Sequence, residues 1–274
     1  MTQYVATVND NSLRFDHFSL PGTDYSPQNS VFDELRVMSA MALHGFRKHK
    51  VVEKFYESQG AAYDGFREAL LPSRDRLLRY SIPWHQSPRS WVSVGCGTAR
   101  DIEYVARHIK ACNTHVYLCD ISPDLLEVAK KRIQRLGLAA QVTFVQANIC
   151  AQDQELLAAG LPPVGSVDVV TCSYCLTMIP RWQTALEQMK KMIKPSGTLA
   201  LVDFTKRSDA PRHWTQRLNA WWFAHDGVWL NDAHTRSLLH DPVFSTTWFH
   251  ESESRTPYTP LFATTYTYAG VKVK

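Results

Sequence analysis

Two glycines and one aspartate are the residues whose spacing points most directly to chemistry in this sequence. Gly95 and Gly97 follow the apolar run 91–94, and Asp120 ends a second apolar run 23 residues after Gly97. Glycine lets the backbone turn sharply and leaves room for a ligand to lie against bare peptide. A carboxylate can accept hydrogen bonds from two neighbouring hydroxyl groups. A turn and an acid at this separation are typical of a site for a nucleoside-type cofactor whose ribose binds the acid.

The residues after the glycines narrow the class of cofactor. A dinucleotide-binding turn needs glycine at its first, third and sixth positions, and the sixth position counted from Gly95 is Arg100. The fifth is Ala99, and Gly-x-Gly-x-small after a strand resembles the S-adenosylmethionine loop of class I methyltransferases. That resemblance implies S-adenosyl-L-methionine as the cofactor, and Arg100 disfavours an NAD-dependent oxidoreductase. A turn without a ligand stays open, as does a capping role for Asp120, although Ser122 is better placed as a helix cap.

Short apolar runs alternate with amphipathic stretches through the middle of the chain, which predicts strands alternating with helices. The predicted strands lie near 91–95, 115–119, 141–146, 167–172 and 198–204, with helices near 99–110, 123–136 and 181–192, a turn at 195–197, and two final strands near 243–251 and 261–270. We therefore expect an α/β fold with a doubly wound, mostly parallel, seven-stranded sheet of the Rossmann-like type found in class I methyltransferases. Ligands of such sheets bind at the carboxyl ends of the strands.

Several residues fall at those strand ends and are predicted to contact the cofactor. They are Gly95, Cys96, Gly97, Asp120, Ile121, Asn148, Ile149 and Ser173. The Asn148 amide could accept a hydrogen bond from the adenine amino group, although a turn role is an equal alternative. Tyr174 follows the fourth strand, and we expect its hydroxyl or carbonyl to face the same crevice and to meet the methyl donor or acceptor.

Methyl transfer to an amine places a further demand on the site, because the amine must be neutral to attack. Burial in an apolar pocket lowers the pKa of an amine, and a tyrosine or histidine can take its proton. The predicted catalytic residues are Tyr63, Tyr174 and His225, and the residues predicted to bind the acceptor are Arg67, Tyr174, Trp222, His225, Asp226 and Tyr258. A structural role for His225 at a helix end stays open.

The composition is that of a globular protein and limits the class of partner. The 274 residues are 45% hydrophobic and 20% charged with a formal net charge of +4, so nucleic-acid binding is not demanded. No apolar run reaches the length of a membrane span, and residues 1–10 show no secretory pattern, which predicts a cytoplasmic protein. The aromatic run 221–223 and Trp229 could touch a membrane surface peripherally or pack as a cap over the site.

The six cysteines are predicted to be free thiols. Most lie in apolar strand or helix contexts, which suits a reducing compartment. Cys172 and Cys175 have the spacing of a redox or zinc pair, but no second cysteine pair and no nearby histidine pair accompanies them. We therefore predict packing roles for both and expect no metal site.

Longer motifs resemble the methyltransferase part of betaine-lipid synthases, the enzymes that make diacylglyceryl-trimethylhomoserine. The resemblance rests on the segments 62–67 (AYDGFR), 70–74 (LLPSR), 94–98 (VGCGT), 120–122 (DIS), 125–129 (LLEVA), 173–182 (SYCLTMIPRW), 203–204 (DF), 222–228 (WFAHDGV) and 257–260 (PYTP). It covers about residues 55–270, and the segment 173–182 and the C-terminal segments are its most specific parts. Ala99 stands where that family has glycine, and Cys175 where serine is expected.

The resemblance implies that the enzyme adds three methyl groups to the amino group of a homoserine ether-linked to diacylglycerol. It also implies that Tyr63 helps to cover the cofactor and that the segment 222–226 borders the acceptor. Two other functions stay open: a soluble N- or O-methyltransferase of a free amino acid or specialised metabolite, and a non-catalytic cofactor-binding protein. The sequence does not set the oligomeric state.

The change of pattern along the chain predicts its organisation. Residues 1–60 form a partly helical N-terminal extension, and residues 61–274 form the methyltransferase domain. Within the domain we assign 88–205 to the cofactor half and 206–274 to the acceptor side.

Overall fold

The computed structural model describes residues 71–206, 223–224, 228–255 and 262–273. The strands of this part are β1 (Ser90–Val94), β2 (His115–Asp120), β3 (Val142–Gln146), β4 (Val167–Ser173), β5 (Ile193–Thr205), β6 (Phe244–Arg255) and β7 (Phe262–Lys272). Its α-helices are α1 (Arg74–Ser81), α2 (Arg100–Cys112), α3 (Pro123–Arg135), α4 (Asp153–Ala158), α5 (Trp182–Met192) and α6 (Ala233–Leu239). Short 3₁₀ helices cover Trp84–Gln86, Ala139–Gln141 and Leu176–Met178. The predicted extension 1–60 lies outside the described residues.

All of these strands form one sheet in the order β3-β2-β1-β4-β5-β7-β6. β1 pairs in parallel with β2 and β4, β2 with β3, and β4 with β5, whereas β7 runs antiparallel to both β5 and β6. The chain builds outward from β1 to β3 and then returns to the other side of β1. A crevice therefore opens at the carboxyl ends of β1 and β4, where ligands of such sheets bind. The structure confirms the predicted doubly wound, mostly parallel α/β sheet.

The central elements form where the sequence alternates short apolar runs with amphipathic stretches. Every residue of β1 after Ser90 is buried, as expected for a strand covered by helices on both faces. The helix α2 buries Ile102 and Val105, which lie on one face at helical spacing. The Ser122 hydroxyl caps α3 by accepting a hydrogen bond from the Leu125 N–H at 3.3 Å, which confirms the capping role predicted for it.

The strand β5 begins earlier than the sequence predicts. Pro195 and Gly197 predict a turn, but β5 already starts at Ile193, which pairs with Val167 of β4. The register then shifts, and Ser196 lies in the left-handed region with a φ of 63°. A strand irregularity and a turn use the same residue types, so local composition does not separate them.

Three apolar clusters hold the sheet to its surroundings. One joins β1 and β2 to α2 and α3 and includes Trp91 and Ile133, and another joins β4 and β5 to α5 and includes Leu186. The third contains Tyr174 and Phe204 and links the residues just before α1 to the strands β5 and β7. This third cluster lies at the end of β4, so it supports the crevice on the side away from the glycine turn.

Candidate functional site

The glycine turn follows β1 and needs its two glycines for different reasons. Both lie in the left-handed region, with φ of 64° at Gly95 and 53° at Gly97. A Cβ on Gly95 would lie 2.2 Å from the Cys175 Sγ, whereas a Cβ on Gly97 would meet nothing within 4 Å. Gly95 is therefore required by the loop after β4, which packs against the turn. Gly97 instead presents bare backbone to open space, which is what close approach of a ligand needs.

Asp120 ends β2 and is bound directly to the glycine turn. Its Oδ2 accepts a hydrogen bond from the Gly97 N–H at 2.8 Å, and its Oδ1 accepts one from the Ser122 N–H at 2.9 Å. Each carboxylate oxygen has a second lone pair, so both could still accept from ligand hydroxyls. The next residue, Ile121, is 65% exposed and offers an apolar surface beside the acid. Asp120 and Ile121 together suit a ligand that carries both hydroxyl groups and a flat apolar ring.

The other residues predicted to bind the cofactor have mixed positions. The exposed Asn148 uses its Oδ1 to accept from the Cys150 N–H at 3.0 Å, which is the turn role left open by the sequence. The Ile149 side chain is buried in the core, so only its backbone is free to meet a ligand. Cys96 and Ser173 are half-buried at the ends of β1 and β4, and their contacts with the cofactor stay predictions.

The cysteines around the crevice are free, as predicted. Burial and then the charge of Asp120 raise the pKa of the Cys96 thiol well above its ordinary value, and burial raises that of Cys119 to about 12. A hydrogen bond with Cys175, together with burial, raises the pKa of Cys172. These three thiols are therefore neutral near pH 7. Cys119 and Cys172 pack in the apolar core and Cys96 is half-buried in the glycine turn, so these thiols act as small apolar groups and not as nucleophiles.

The Tyr174 hydroxyl does not point into open space, contrary to our expectation for it. It donates a hydrogen bond to the Pro72 carbonyl at 2.7 Å, and its ring packs on Phe204 with centroids 4.8 Å apart. Burial raises the pKa of this phenol above its ordinary value. A hydroxyl that already donates to a backbone carbonyl holds the residues before α1 against β4. This contact argues against the proton-accepting role predicted from the sequence.

Asp203 entered the sequence analysis only as part of the family resemblance, without a predicted site role, yet it organises the acceptor side of the crevice. This buried carboxylate in β5 accepts hydrogen bonds from the Thr177 N–H at 3.0 Å, the Thr177 hydroxyl at 2.6 Å and the Phe204 N–H at 2.7 Å. Burial raises its pKa to about 6, although these hydrogen bonds act in the opposite direction. The Thr177 carbonyl in turn accepts from the Trp229 N–H at 3.0 Å. The signal for Asp203 is an acid inside an otherwise apolar strand, which is costly unless it is bound.

Six of the predicted site residues lie outside the described part of the chain. They are Tyr63, Arg67, Trp222, His225, Asp226 and Tyr258. Their catalytic and acceptor-binding roles stay predictions. Within the residues that the structure describes, no group of three or more histidine, cysteine or acidic side chains is arranged to hold a metal ion. No helix in that same part combines the length and the apolar character needed to cross a membrane.

Comparison with known proteins decides the family. A family model described as "Methyltransferase domain" matches residues 89–254, which is more than half of the chain. The chain belongs to this family. The match spans β1 to β6 and therefore includes the glycine turn, Asp120 and Asp203.

Two curated relatives of this methyltransferase domain carry the name ubiquinone/menaquinone biosynthesis C-methyltransferase UbiE. The one from Azotobacter vinelandii is 29% identical over 168 residues, covering 60% of this chain and 62% of the relative. The one from Vibrio vulnificus is 28% identical over 191 residues, covering 67% and 70%. The chain thus spans about three-fifths of the length of the first of these relatives. Their names describe carbon methylation by those two proteins.

Solved structures share the fold of the methyltransferase domain at low identity. A putative methyltransferase from Bacillus halodurans superposes with a TM-score of 0.57 at 14% identity, covering 73% of this chain and 99% of the other. The [4+2]-cyclase SpnF superposes with a TM-score of 0.55 at 16% identity, covering 78% and 82%. Because one of these proteins is named a cyclase, the fold by itself does not fix the reaction.

The crevice fits S-adenosyl-L-methionine, the cofactor of this class I methyltransferase domain. The backbone at Gly97 is open to close approach, Asp120 keeps acceptor capacity for ribose hydroxyls, and Ile121 presents an apolar surface for the base. When bound, the cofactor supplies a methyl group on a positively charged sulfur. The contribution of the chain is to hold and orient that group and to keep water away.

Proposed function

We propose that this protein is an N-methyltransferase that transfers methyl groups from S-adenosylmethionine to the amino group of an amphipathic lipid, with diacylglyceryl-homoserine as the candidate acceptor. One observation carries the apolar part of this proposal. Met178 is 46% exposed and Trp229 is 61% exposed, and the Thr177–Trp229 hydrogen bond joins their two segments. Large apolar side chains exposed side by side favour an apolar ligand or a lipid surface.

The loop after β4 relates this apolar surface to the cofactor turn. Cys175, within the loop, lies against Gly95, and Thr177, two residues later, binds Trp229. An acceptor whose apolar part lies on Met178 and Trp229 therefore has its reactive end beside the glycine turn. That arrangement favours alignment of the nucleophile with the methyl group, which is the main requirement of the reaction.

Loss of the amine proton is assigned to residues outside the described part. The Tyr174 hydroxyl is committed to Pro72, so His225 and Tyr63 are the remaining candidates from the sequence. An apolar pocket also lowers the pKa of the amine, so a smaller fraction of the bound amine needs a general base to remove its proton. We propose that Arg67, Trp222, Asp226 and Tyr258 border the acceptor, as the resemblance to betaine-lipid synthases implies.

Carbon methylation is the second candidate, and the relatives named C-methyltransferases favour it. The family model matches residues 89–254, which contain nearly all of the predicted cofactor half, so membership of the family bears more strongly on the methyl donor than on the acceptor. An aromatic carbon acceptor would need no loss of an amine proton before attack. The two candidates therefore differ in the atom that is methylated.

The test incubates the protein and methyl-labelled S-adenosylmethionine with diacylglyceryl-homoserine in detergent micelles, with free homoserine, or with a demethylated quinol. Up to three successive methyl additions to the lipid amine would support the proposal. Label only in the quinol ring would support carbon methylation, and label only in free homoserine would support a small-molecule enzyme. Either of these two results would overturn the lipid proposal.

A variant of the apolar surface tests the same proposal with a matched control. We expect Trp229→Ala to raise KM for the lipid at least fivefold, roughly 1 kcal/mol, without changing KM for S-adenosylmethionine. Leu157→Ala is the control, because Leu157 is 53% exposed but lies on α4 and not on the segments beside the crevice. An equal rise in KM for both variants would exclude a specific role for Trp229.

A further inference from the structure

The glycine turn is held from the neighbouring helix by Arg132. This residue belongs to α3, and its Nη1 donates a hydrogen bond to the Thr98 carbonyl at 2.7 Å and contacts the Thr98 Oγ1 at 2.8 Å. Both residues are buried, with 8% of Arg132 and 3% of Thr98 exposed. A charged donor on a buried carbonyl forms one of the stronger hydrogen bonds in a protein.

The turn needs such a contact because its backbone is strained. Three of its residues, Gly95, Gly97 and Ala99, have φ between 53° and 64°. Glycine adopts this conformation freely, whereas a residue with a Cβ such as Ala99 is strained in it, and the strain persists only where the surroundings fix it. Thr98 lies between Gly97 and Ala99, so the Arg132 contact acts at the centre of the strained segment.

Arg132 is itself held by Glu103, one turn into α2. The Arg132 Nε lies 2.9 Å from the Glu103 Oε1, and the Arg135 Nη2 lies 2.6 Å from the same oxygen. Arg100 also pairs with Glu103. Burying a guanidinium is costly unless its charge is compensated, so Glu103 offsets the charge of Arg132 and helps to hold it against Thr98.

We infer that Arg132 is a positioning residue for the cofactor, acting through Thr98. The helix α3 follows directly after Asp120 and its cap Ser122, whereas Thr98 belongs to the turn after β1. The Arg132–Thr98 contact therefore fixes the turn relative to the acid, the two parts of the chain predicted to hold the cofactor. The inference depends on the cofactor lying across this turn and does not depend on the identity of the acceptor.

The test compares two arginines of the same helix that share Glu103. Arg132→Ala removes the contact with Thr98, whereas Arg135→Ala removes an exposed partner of Glu103 that does not touch the turn. Titration calorimetry with S-adenosylhomocysteine measures the affinity of each folded variant at a temperature below its unfolding transition. We expect Arg132→Ala to weaken binding tenfold to one-hundredfold and Arg135→Ala to change it less than twofold.

A conservative variant and a kinetic measurement separate positioning from general stability. Arg132→Lys keeps one donor for the Thr98 carbonyl but loses the planar guanidinium that also reaches Glu103. We therefore expect its affinity for S-adenosylhomocysteine to lie between those of the wild type and Arg132→Ala. In turnover assays, KM for S-adenosylmethionine should rise while kcat changes less than threefold. Unchanged affinity in both folded Arg132 variants, or an equal loss in Arg135→Ala, would overturn the inference. The calorimetry involves no acceptor, so a failure of the lipid proposal would leave its result intact.

Discussion

The two sides of the crevice are built in different ways. On the cofactor side, the groups that matter lie in two short segments, which are joined by the hydrogen bond from the Gly97 N–H to Asp120 and by one from the Cys96 N–H to the Cys119 carbonyl. On the acceptor side, the Thr177 loop is held by Asp203, 26 residues away, and Tyr174 is held by Pro72, 102 residues away. The first side depends on backbone conformation and free space. The second depends on buried hydrogen bonds between distant parts of the chain.

This difference predicts how each side responds to change. Substitutions on the cofactor side should change stability or binding because the new residue is strained at a positive φ, or because its Cβ occupies space that a neighbour or the ligand needs. Variants on the acceptor side should act through unsatisfied buried groups, and their effects should depend on pH where a carboxylate is involved.

The largest effect is expected at Gly95. Gly95→Ala forces a Cβ against the Cys175 Sγ at 2.2 Å and adds strain at a positive φ, so we expect unfolding to become easier by roughly 2–4 kcal/mol. Gly97→Ala meets no neighbour and should cost only about 1 kcal/mol, yet weaken S-adenosylhomocysteine binding at least tenfold. Denaturant unfolding and calorimetry measure the two effects.

A double variant sharpens this test. Replacing Cys175 by glycine removes both atoms that a Cβ at position 95 would meet. Gly95→Ala combined with Cys175→Gly should therefore recover part of the stability that Gly95→Ala alone loses. If both single glycine variants lost the same stability, the contact with Cys175 would not be the reason for glycine at position 95.

The same contrast explains what the sequence could predict. The alternation of strands and helices, the glycine turn and the Ser122 cap follow from local patterns, because each depends on residues close together in the chain. The contacts of Asp203 and Arg132 were not predicted, since their partners Thr177 and Thr98 are 26 and 34 residues away. No local signal encodes such a pairing.

Two residue types misled the sequence-based interpretation for physical reasons. A tyrosine after a strand end can donate into a crevice or to a distant backbone carbonyl, and Tyr174 does the latter. Pro195 and Gly197 suit a turn and a strand irregularity equally well, so the start of β5 was predicted too late. In both cases tertiary contacts decided between alternatives that the local sequence allows.

Asp203→Asn is expected to have the next largest effect. The groups around Asp203 donate hydrogen bonds to it, among them the Thr177 N–H and the Phe204 N–H. The NH₂ group of an asparagine is also a donor, so it would face these donors without an acceptor. We expect a loss of roughly 1.5–3 kcal/mol in the free energy of unfolding near pH 7. The affinity for S-adenosylhomocysteine should change less than twofold, because Asp203 does not touch the glycine turn. A large loss of cofactor affinity in the folded variant would contradict the separation of the two sides.

The pH dependence of this variant has a defined sign. The pKa of Asp203 is about 6 in the folded state against an ordinary value of 3.8. The folded protein therefore holds a proton between these values that the unfolded chain has released. The stability contributed by Asp203 is fully present below about pH 4 and falls by roughly 3 kcal/mol as pH rises to about 6. The wild type should lose stability relative to Asp203→Asn over this window, as measured by urea unfolding at several pH values.

Asp168 provides a control of opposite sign. Burial alone would raise the pKa of Asp168, but hydrogen bonds from Lys194 and Ser90 outweigh it and hold the pKa below its ordinary value. Its contribution is therefore present above the ordinary value and lost as pH falls. Below about pH 3.8 the stability of the wild type relative to Asp168→Asn should rise with pH, whereas its stability relative to Asp203→Asn should fall between about pH 4 and pH 6. Parallel shifts in the two variants would show that neither carboxylate is the titrating group.

A moderate effect on binding is expected at Asp120. Asp120→Ala removes the predicted acceptor of the ribose hydroxyls and should weaken cofactor affinity by roughly 1.5–3 kcal/mol, the value of hydrogen bonds to a charged group. It also frees the Gly97 N–H, which Asp120 binds at 2.8 Å. Asp120→Asn keeps one acceptor oxygen, so its cofactor affinity measured by calorimetry should lie between those of the wild type and Asp120→Ala. Unchanged affinity in the alanine variant would show that Asp120 does not bind the ribose.

The smallest effect is expected at Tyr174, where it decides between two roles. Tyr174→Phe removes the hydrogen bond to the Pro72 carbonyl together with a contact to the Thr265 side chain, so unfolding should become easier by about 0.5–1.5 kcal/mol, with the ring packing on Phe204 kept. Turnover should stay within about threefold of the wild type, because a hydroxyl held by a backbone carbonyl does not take a proton from the acceptor. Loss of a general base would instead lower kcat by about 10²–10⁴. A drop of that size with normal stability would restore the catalytic role and move the reaction centre to the end of β4.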